Sequence, residues 1–428
     1  VNSTRLPEKI DIGPGAVKRM ADYCAARCRA GGAGSVPGGA GRLRLIADRN
    51  TWTAMGKEAE RELRAGGVAT RATIFDSPGL AADERSVVRL LADDDPAERL
   101  LVAVGSGTIT DIVRFVAHRT GREFVSLATA PSVDAYSSIV AAMTFDGMKR
   151  TVSAAAPLAV FADIEALARA PGPMIAAGFG DTIAKFFAVA DWRLGSLLWG
   201  ESFDEAIAGR SVAAARSCVE AAASIGSASP AGIGILMAAL VESGLCMAQA
   251  GHSRPASGAE HHYSHYWELK LLAEGRPPIL HGLKVGIGSL EAARLWELLR
   301  GTPKERAAGL LSRSVLPARE REERLIRRAY GSSADETITA HQRFLAMSET
   351  DYGALKAEIL DAWDEIHAIA AAVPGTSETK RLLSLAGCPT DPRALGLGGK
   401  EIVLGLANAH YIRDRFTIKK LARVLGLD

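Results

Sequence analysis

This sequence of 428 residues has little that points to a disulfide framework, a nucleic-acid footprint or a secretory leader. The five cysteines (Cys24, Cys28, Cys218, Cys246 and Cys388) are odd in number and scattered, and none forms a Cys-x-x-Cys pair. That pattern excludes a disulfide scaffold and a thiolate zinc site, and a cytoplasmic, reducing location is expected. The net charge is only +2 and aromatic residues make up 6% of the chain, with lysines and arginines spread among acids. No basic stripe with interleaved aromatics is present, so no nucleic-acid partner is expected. The opening residues, Val1-Asn-Ser-Thr-Arg-Leu-Pro7, carry no apolar signal-peptide core. Long apolar runs are also scarce. Residues 221–241 are uncharged over the length of a membrane span, but Pro230 and repeated serines and glycines interrupt them. A buried core helix beginning after Pro230, and no membrane segment, is the expectation.

What is present is an ordinary globular composition, 48% hydrophobic and 23% charged, in a chain long enough for two domains with separate cores. Short apolar runs at 43–48, 72–75, 100–104 and 124–127 alternate with helical patterns at 52–64, 82–91 and 109–118. This alternation predicts strand–helix repeats and a parallel, Rossmann-like sheet. The glycine-rich segment 31–41 reads as a surface loop leading into the first of these strands. Asp146-Gly147 suggests a hairpin turn, and 157–161 one further strand. From about residue 164 the pattern is alanine-rich and helical, with a charged stretch at 304–328 that reads as a solvated helix face. The expected fold class is therefore α/β plus all-α: an α/β domain over 1–163 and an all-helical domain over 164–428.

Strand 100–104 ends in Gly105-Ser106-Gly107-Thr108, and a helix then begins with Ile109-Thr110-Asp111. Small residues let a ligand approach the backbone, and free amides at a helix start favour an anion such as a pyrophosphate. The spacing is not the Gly-x-Gly-x-x-Gly fingerprint, and a tight strand–helix connection would look the same. Asp48, at the end of the strand over 43–48, is placed either to accept hydrogen bonds from an adenosine ribose or to cap the next helix. A third segment, Thr129-Ala130-Pro131-Ser132 with Asp134 and Ser138, groups hydroxyls and a carboxylate at another strand end.

Histidines gather downstream. His261 and His265 are four apart and project from one helix face, with His262 between them and His281 ahead of Gly282. With a carboxylate such as Asp181, in Gly-Phe-Gly-Asp, these imidazoles form a candidate site for one catalytic divalent metal. A solvated polar helix face is the competing reading for two of them alone.

The ordered motifs Gly-Ser-Gly-Thr-x-x-Asp, Thr-Ala-Pro-Ser-x-Asp-x-x-Ser-Ser, Gly-x-Gly-Asp-x-x-Ala-Lys, Ser-Arg-Pro-Ala-Ser-Gly-Ala-Glu-His and His-Gly-x-Lys-Val-Gly resemble the sn-glycerol-1-phosphate dehydrogenase family. That family lies in the iron-containing alcohol dehydrogenase and dehydroquinate synthase-like superfamily, and the bacterial, arabinose-operon branch is the most similar. The tail Tyr411-Ile-Arg-Asp-Arg-Phe-Thr417 shares the likeness, which covers nearly the whole chain. The resemblance implies Asp181, His261 and His281 as metal ligands, with Asp134, Asp181 and His265 as the catalytic, substrate-facing residues. It places an NAD or NADP cofactor against Gly105, Ser106, Gly107, Thr108, Ile109, Thr110 and Asp111, along Thr129, Ala130, Pro131, Ser132 and Ser138, and at Asp48. It assigns His262 no role. Ala135, where the family carries glycine, and the divergent stretch 301–333 are departures.

The implied reaction is metal-assisted hydride transfer that reduces dihydroxyacetone phosphate to sn-glycerol 1-phosphate, with His265 as proton relay and Asp134 orienting a hydroxyl. Imidazole ligands suit zinc, nickel or iron(II) better than magnesium or calcium; the resemblance points to zinc or nickel. Arg254 and Lys284 are candidate contacts for the substrate phosphate. Relatives imply a homodimer or larger homo-oligomer. Competing readings on the same scaffold are a glycerol or polyol dehydrogenase and a dehydroquinate synthase-like lyase. A non-catalytic sugar-phosphate binder is the third.

Overall fold

The computed structural model describes residues 6–29, 42–77, 79–145 and 148–427. The glycine-rich segment 31–41 and the Asp146-Gly147 turn lie outside them. Eight strands precede residue 163: β1 (Lys9–Ile12), β2 (Arg42–Asp48), β3 (Ala69–Phe75), β4 (Glu98–Gly105), β5 (Glu123–Ala128), β6 (Val140–Phe145), β7 (Met148–Ser153) and β8 (Ala159–Ala162). Six of them form one sheet in the order β1-β8-β5-β4-β2-β3, with every pairing parallel, while β6 and β7 form a separate antiparallel pair.

Parallel strands covered on both faces read as unbroken apolar runs, and β4 and β5 do so. Helices α1 (Ala16–Arg29) and α2 (Lys57–Ala65) cover one face, meeting Leu43, Leu45, Val102, Val104 and Leu127. Helices α3 (Glu84–Ala92) and α4 (Gly107–Thr120) cover the other, over Ile46, Leu101, Ala103 and Phe124. The alternation of successive strand residues between these two clusters is the period-two signature of a pleated strand.

From β2 the chain moves outward to β3, then returns past β2 to β4 and continues to β5 and β8. The order therefore reverses between β2 and β4, and the carboxyl ends of these two strands flank the crevice where open α/β sheets take ligands. Asp48 ends one of them and Gly105 the other.

Several expected boundaries shift. Strand β1 and helix α1 carried no clear sequence pattern; β1 is short and half-exposed on the sheet edge. Helix α4 begins at Gly107 rather than Ile109, with Ser106 in extended conformation at its cap. Helix α3 begins at Glu84 because the Asp83 carboxylate accepts the Ser86 amide and closes its first turn. The last strand is Ala159–Ala162 rather than 157–161.

After β8 the described chain is helical. The helices that carry the site are α5 (Gly172–Ile183), α6 (Lys185–Trp199), α7 (Glu205–Glu220), α8 (Pro230–Ala250), α9 (Ala259–Ala273) and α10 (His281–Arg300). Helix α8 opens at Pro230 as expected, its Ser229 cap accepting the Gly232 amide. Two spans, Gly172–Trp199 and Pro230–Ala250, are long and apolar enough to cross a membrane, but 83% and 56% of their most apolar windows are buried within the protein. They supply core. The charged stretch folds as Lys304–Arg313 and Arg319–Tyr330 and is largely exposed. Among its charged residues Glu322 is the exception: it is buried, accepts a hydrogen bond from the Tyr411 hydroxyl and pairs with Arg423 at 3.0 Å.

Candidate active site

Glycine decides how closely the site helices approach. A methyl group added at Gly282 would stand 1.8 Å from the Ala177 carbonyl oxygen, and one at Gly178 would stand 1.9 Å from that of Pro131. Neither position tolerates a side chain, so α10 packs backbone to backbone on α5, and α5 on the 129–132 loop. His281 is the first residue of α10, immediately before Gly282. Asp181 is one turn further along α5 from Ala177, so the same close crossing brings Asp181 and His281 together.

Helix α9 contributes the other histidines. His261 and His265 do share a face, with ring centroids 6.0 Å apart, and both rings meet His281, at 5.2 and 5.4 Å. The ligand atoms of Asp181, His261 and His281 all lie within 4.8 Å of one another. His265, Glu268 and His281 make a second such group on the outer side.

The proton inventory around His261 is well specified. Its Nδ1 lies 2.8 Å from Glu260 Oε1, which also accepts the Gly258 amide at 2.7 Å. A carboxylate on Nδ1 holds the proton there and leaves Nε2 as a lone-pair donor. Nε2 faces Asp181 Oδ1 at 3.5 Å. Burial alone would disfavour protonation of this ring, but Asp181 and Glu260 outweigh it and raise its pKa. For Asp181, burial pushes the carboxyl up, while the Lys185 ammonium and then His261 prevail and hold it well below the usual carboxylate range.

Lys185, given no role in the sequence reading, is the hub of the inner wall. Its buried Nζ donates to Asp134 Oδ2 at 2.8 Å and to Asp181 Oδ1 at 3.0 Å. Ser243 also donates to Asp134 Oδ2, at 2.8 Å, and the Asp134 amide donates to Asp181 Oδ2 at 3.1 Å. Burial would lower the Lys185 pKa, but the two aspartates raise it, so the ammonium is retained. The only sequence signal was its spacing four residues beyond Asp181, which suits an ion pair along a helix.

His265 is packed so that burial drives its pKa down to about 4, although Glu268 opposes the shift. His281 is likewise held well below the ordinary value, by burial first. Both rings are neutral at neutral pH.

The other segments meet at the carboxyl end of the sheet. The Thr129 amide donates to the Gly105 carbonyl at 3.2 Å, joining the 129–132 loop to the β4–α4 turn. Gly105 to Ile109 are packed so closely that a side chain at Gly105 would overlap that of Ile109. Ile109 and Thr110 are buried, leaving Ser106, Gly107 and Thr108 partly exposed at the helix start. Asp111 is turned inward, where its carboxylate accepts from Arg114 at 3.1 Å and from the Ala142 amide at 3.3 Å. Fully buried Arg114 also donates to the carbonyls of Ala135, Tyr136 and Val140, which fixes the loop that carries Asp134. Ala135 thus takes part through its carbonyl. Ser138 Oγ lies 3.1 Å from both the Val140 amide and its carbonyl. Ala130 and Ser132 form a tight turn, with the Ser132 amide donating to Ala130 at 3.0 Å. Asp48 caps the next helical segment, accepting the Thr51 amide at 2.9 Å.

The two candidate phosphate contacts are both engaged. Arg254 forms a close ion pair with Glu201, and Lys284 Nζ donates to the Ile279 carbonyl at 3.1 Å and lies 3.6 Å from Glu268.

Comparison with known proteins identifies the family. Residues 11–171 match the family described as iron-containing alcohol dehydrogenase. A Bacillus velezensis protein named glycerol-1-phosphate dehydrogenase (NAD(P)+) is 44% identical over 245 residues, which span 56% of this chain and 62% of that protein. Proteins of the same name from Geobacillus thermodenitrificans and Halalkalibacterium halodurans are 31% and 32% identical, each alignment covering 87% of this chain and 84% of the relative. Among solved structures, a probable glycerol dehydrogenase from Sinorhizobium meliloti superposes with a TM-score of 0.61 at 17% identity, covering 99% of this chain and 97% of that one. At that identity the likeness is one of fold.

Proposed function

Since the chain belongs to the glycerol-1-phosphate dehydrogenase family of iron-containing alcohol dehydrogenases, we propose that it is an NAD(P)-dependent oxidoreductase that reduces dihydroxyacetone phosphate to sn-glycerol 1-phosphate. The observation that carries this reading is the convergence of Asp181, His261 and His281 to within 4.8 Å, with Asp134 and His265 beside them.

The donor set suits a divalent ion of borderline softness: two imidazoles, one carboxylate, and a second carboxylate on His261 Nδ1 to fix its tautomer. Zinc or nickel is our assignment, with iron(II) compatible. When bound, such an ion supplies Lewis-acid polarisation of the substrate carbonyl, and the nicotinamide supplies the hydride.

The chain's own groups do the rest. Glycine packing fixes the relative positions of Asp181 and His281, so that little reorganisation is needed at the moment of reaction. Lys185 bridges Asp134 and Asp181, and its ammonium holds the Asp181 carboxyl ionised. Asp134, with one oxygen held by Lys185 and Ser243, orients a substrate hydroxyl. His265, kept neutral by burial, meets the reacting oxygen and relays its proton. The exposed amides of Ser106, Gly107 and Thr108 receive the cofactor pyrophosphate at the crevice between β2 and β4. The 129–132 loop lies alongside. In this reading residues 1–163 hold the cofactor and 164–428 hold the metal, and the enzyme works in the cytoplasm as a homodimer or larger assembly.

Metal analysis of the purified protein with Asp181→Ala and His261→Ala tests the assignment. Wild type should carry about one ion per chain, and each variant should lose both the ion and reduction of dihydroxyacetone phosphate. Retained activity in both variants would overturn the metal site.

A further inference from the structure

The chain returns to the site near its end. Segment 412–417 packs against the 252–258 loop that leads into α9, and it brings two arginines with it. Arg413 Nη1 donates to Ser253 Oγ at 3.0 Å, and Arg415 Nη2 donates to the same oxygen at 2.8 Å. Arg415 also donates to the Ser257 carbonyl. Arg254, the next residue after Ser253, is close enough that its charge bears on both.

Three guanidiniums thus crowd one small volume with little to neutralise them. Glu201 is paired with Arg254, and Glu260 is committed to His261. Among the described residues, neither Arg413 nor Arg415 has a carboxylate oxygen within 4.0 Å. Burial disfavours the charged form of all three; repulsion between guanidiniums adds to it at Arg413 and Arg415, while Glu201, Asp191 and Asp414 oppose it at Arg254. A folded protein keeps such a cluster when an anion from outside completes it.

A second observation points the same way. His262, adjacent to the ligand His261, is buried with neither ring nitrogen hydrogen-bonded, and Ser257 Oγ is buried and unpartnered as well. Either protonation state of an imidazole carries at least one N–H donor, so this ring has one to offer an anion. Through Ser257 and the 252–258 loop the cluster adjoins the start of α9, the helix that carries His261 and His265. Arg413 and Arg254 are partly exposed, so an anion can reach them from solvent.

We infer that Arg413, Arg415 and Arg254, with His262 and Ser257, form an anion subsite for a phosphate monoester dianion, the phosphate of the three-carbon substrate. Planar guanidiniums match phosphate oxygens in pairs, and a dianion would supply the direct ion pair that Arg413 and Arg415 lack among the described residues. The subsite gives His262 a role and replaces Lys284, which is turned toward Glu268. Its identification with the substrate phosphate rests on the function proposed above.

The test is calorimetric titration of wild type, Arg413→Met and Arg413→Lys with inorganic phosphate, alongside steady-state kinetics on dihydroxyacetone phosphate and on dihydroxyacetone. Phosphate affinity should fall at least tenfold in Arg413→Met. KM for the phosphorylated substrate should rise at least tenfold in that variant, while KM for dihydroxyacetone changes less than twofold. The lysine variant should fall between. Unchanged phosphate affinity, or an equal rise in KM for both substrates, overturns the subsite. Equal wild-type turnover of both substrates would instead overturn the proposed function, and loss of phosphate binding in Arg413→Met would still stand as evidence for the subsite. Should the methionine variant melt below assay temperature, thermal protection decides. Inorganic phosphate should raise the unfolding midpoint of wild type more than that of Arg413→Lys, and equal protection would refute the subsite.

Discussion

Replacing Gly282 with alanine probes the feature on which the whole site depends, the contact between α10 and α5. The new Cβ would lie 1.8 Å from the Ala177 oxygen and 2.6 Å from its carbonyl carbon. Ordinary carbon–oxygen contacts need roughly 3.2–3.5 Å, so the helices must part by more than about 1 Å, because the opposing atoms are backbone. Overpacking of this kind costs about 1–3 kcal/mol, which lowers the melting midpoint by several degrees. The effect on metal should be larger. Metal–ligand distances tolerate only about 0.2 Å, and Gly282 follows His281 directly, so a shift of about 1 Å pulls one ligand out of range. We expect a loss of metal affinity of at least about tenfold. The matched control is Gly209→Ala, in exposed helix α7, where an added Cβ meets nothing within 4 Å. That change should stabilise by about 0.5–1 kcal/mol and leave metal binding untouched. Thermal melts and metal content after competition with a chelator read both quantities. Gly282→Ala protein with full metal occupancy and wild-type turnover would refute the reasoning.

Two further outcomes follow from the site and the core. Glu260→Gln keeps the shape of the group on His261 Nδ1 and removes its charge, so metal affinity should fall about 10–100-fold with little change in melting midpoint; equal affinities by competitive titration would show that Glu260 does not orient His261. His410 is buried with no hydrogen-bond partner, and burial, followed by Arg423, Lys420, Lys419 and His341, keeps its pKa well below 6.5. The unfolded chain therefore binds a proton at His410 that the folded chain refuses. Its contribution is fully present above about pH 6.5 and is lost as pH falls below that value, at about 1.4 kcal/mol per pH unit. His410→Phe should melt with a shallower decline between pH 7 and pH 5 than wild type, and parallel declines would count against the assignment.

The fold was largely legible because parallel strands covered on both faces write unbroken apolar runs, as in Leu100-Leu-Val-Ala-Val104, and helices between them write amphipathic ones. Strand β1 escaped notice because an edge strand of four residues, half-exposed, has too little pattern to stand out. The convergence of Asp181, His261 and His281 was foreshadowed by residue type, order and family resemblance. The side chains that tune them were less so. Lys185 was in plain view within a motif, but its partners Asp134 and Asp181 meet it only after α5 and the 129–138 loop fold together. Arg413 and Arg415 lie more than 150 residues from Ser253, and their convergence depends on the return of the chain end. Of the two phosphate candidates read from proximity to the histidines, Lys284 is turned to Ile279 and Glu268, whereas Arg254, although paired with Glu201, stands beside Arg413 and Arg415 in the proposed subsite. Asp48 caps a helix, one of its two sequence readings, at the end of the strand beside the crevice.

The central claim, metal-dependent reduction of a phosphorylated three-carbon ketone, is tested most directly by following NADH or NADPH oxidation with dihydroxyacetone phosphate before chelation, after it, and after zinc or nickel is restored. The account predicts turnover that vanishes with the metal and returns with it, yields sn-glycerol 1-phosphate, and exceeds that with dihydroxyacetone. Metal-independent turnover, or faster oxidation of glycerol than of glycerol 1-phosphate in the reverse direction, would contradict it.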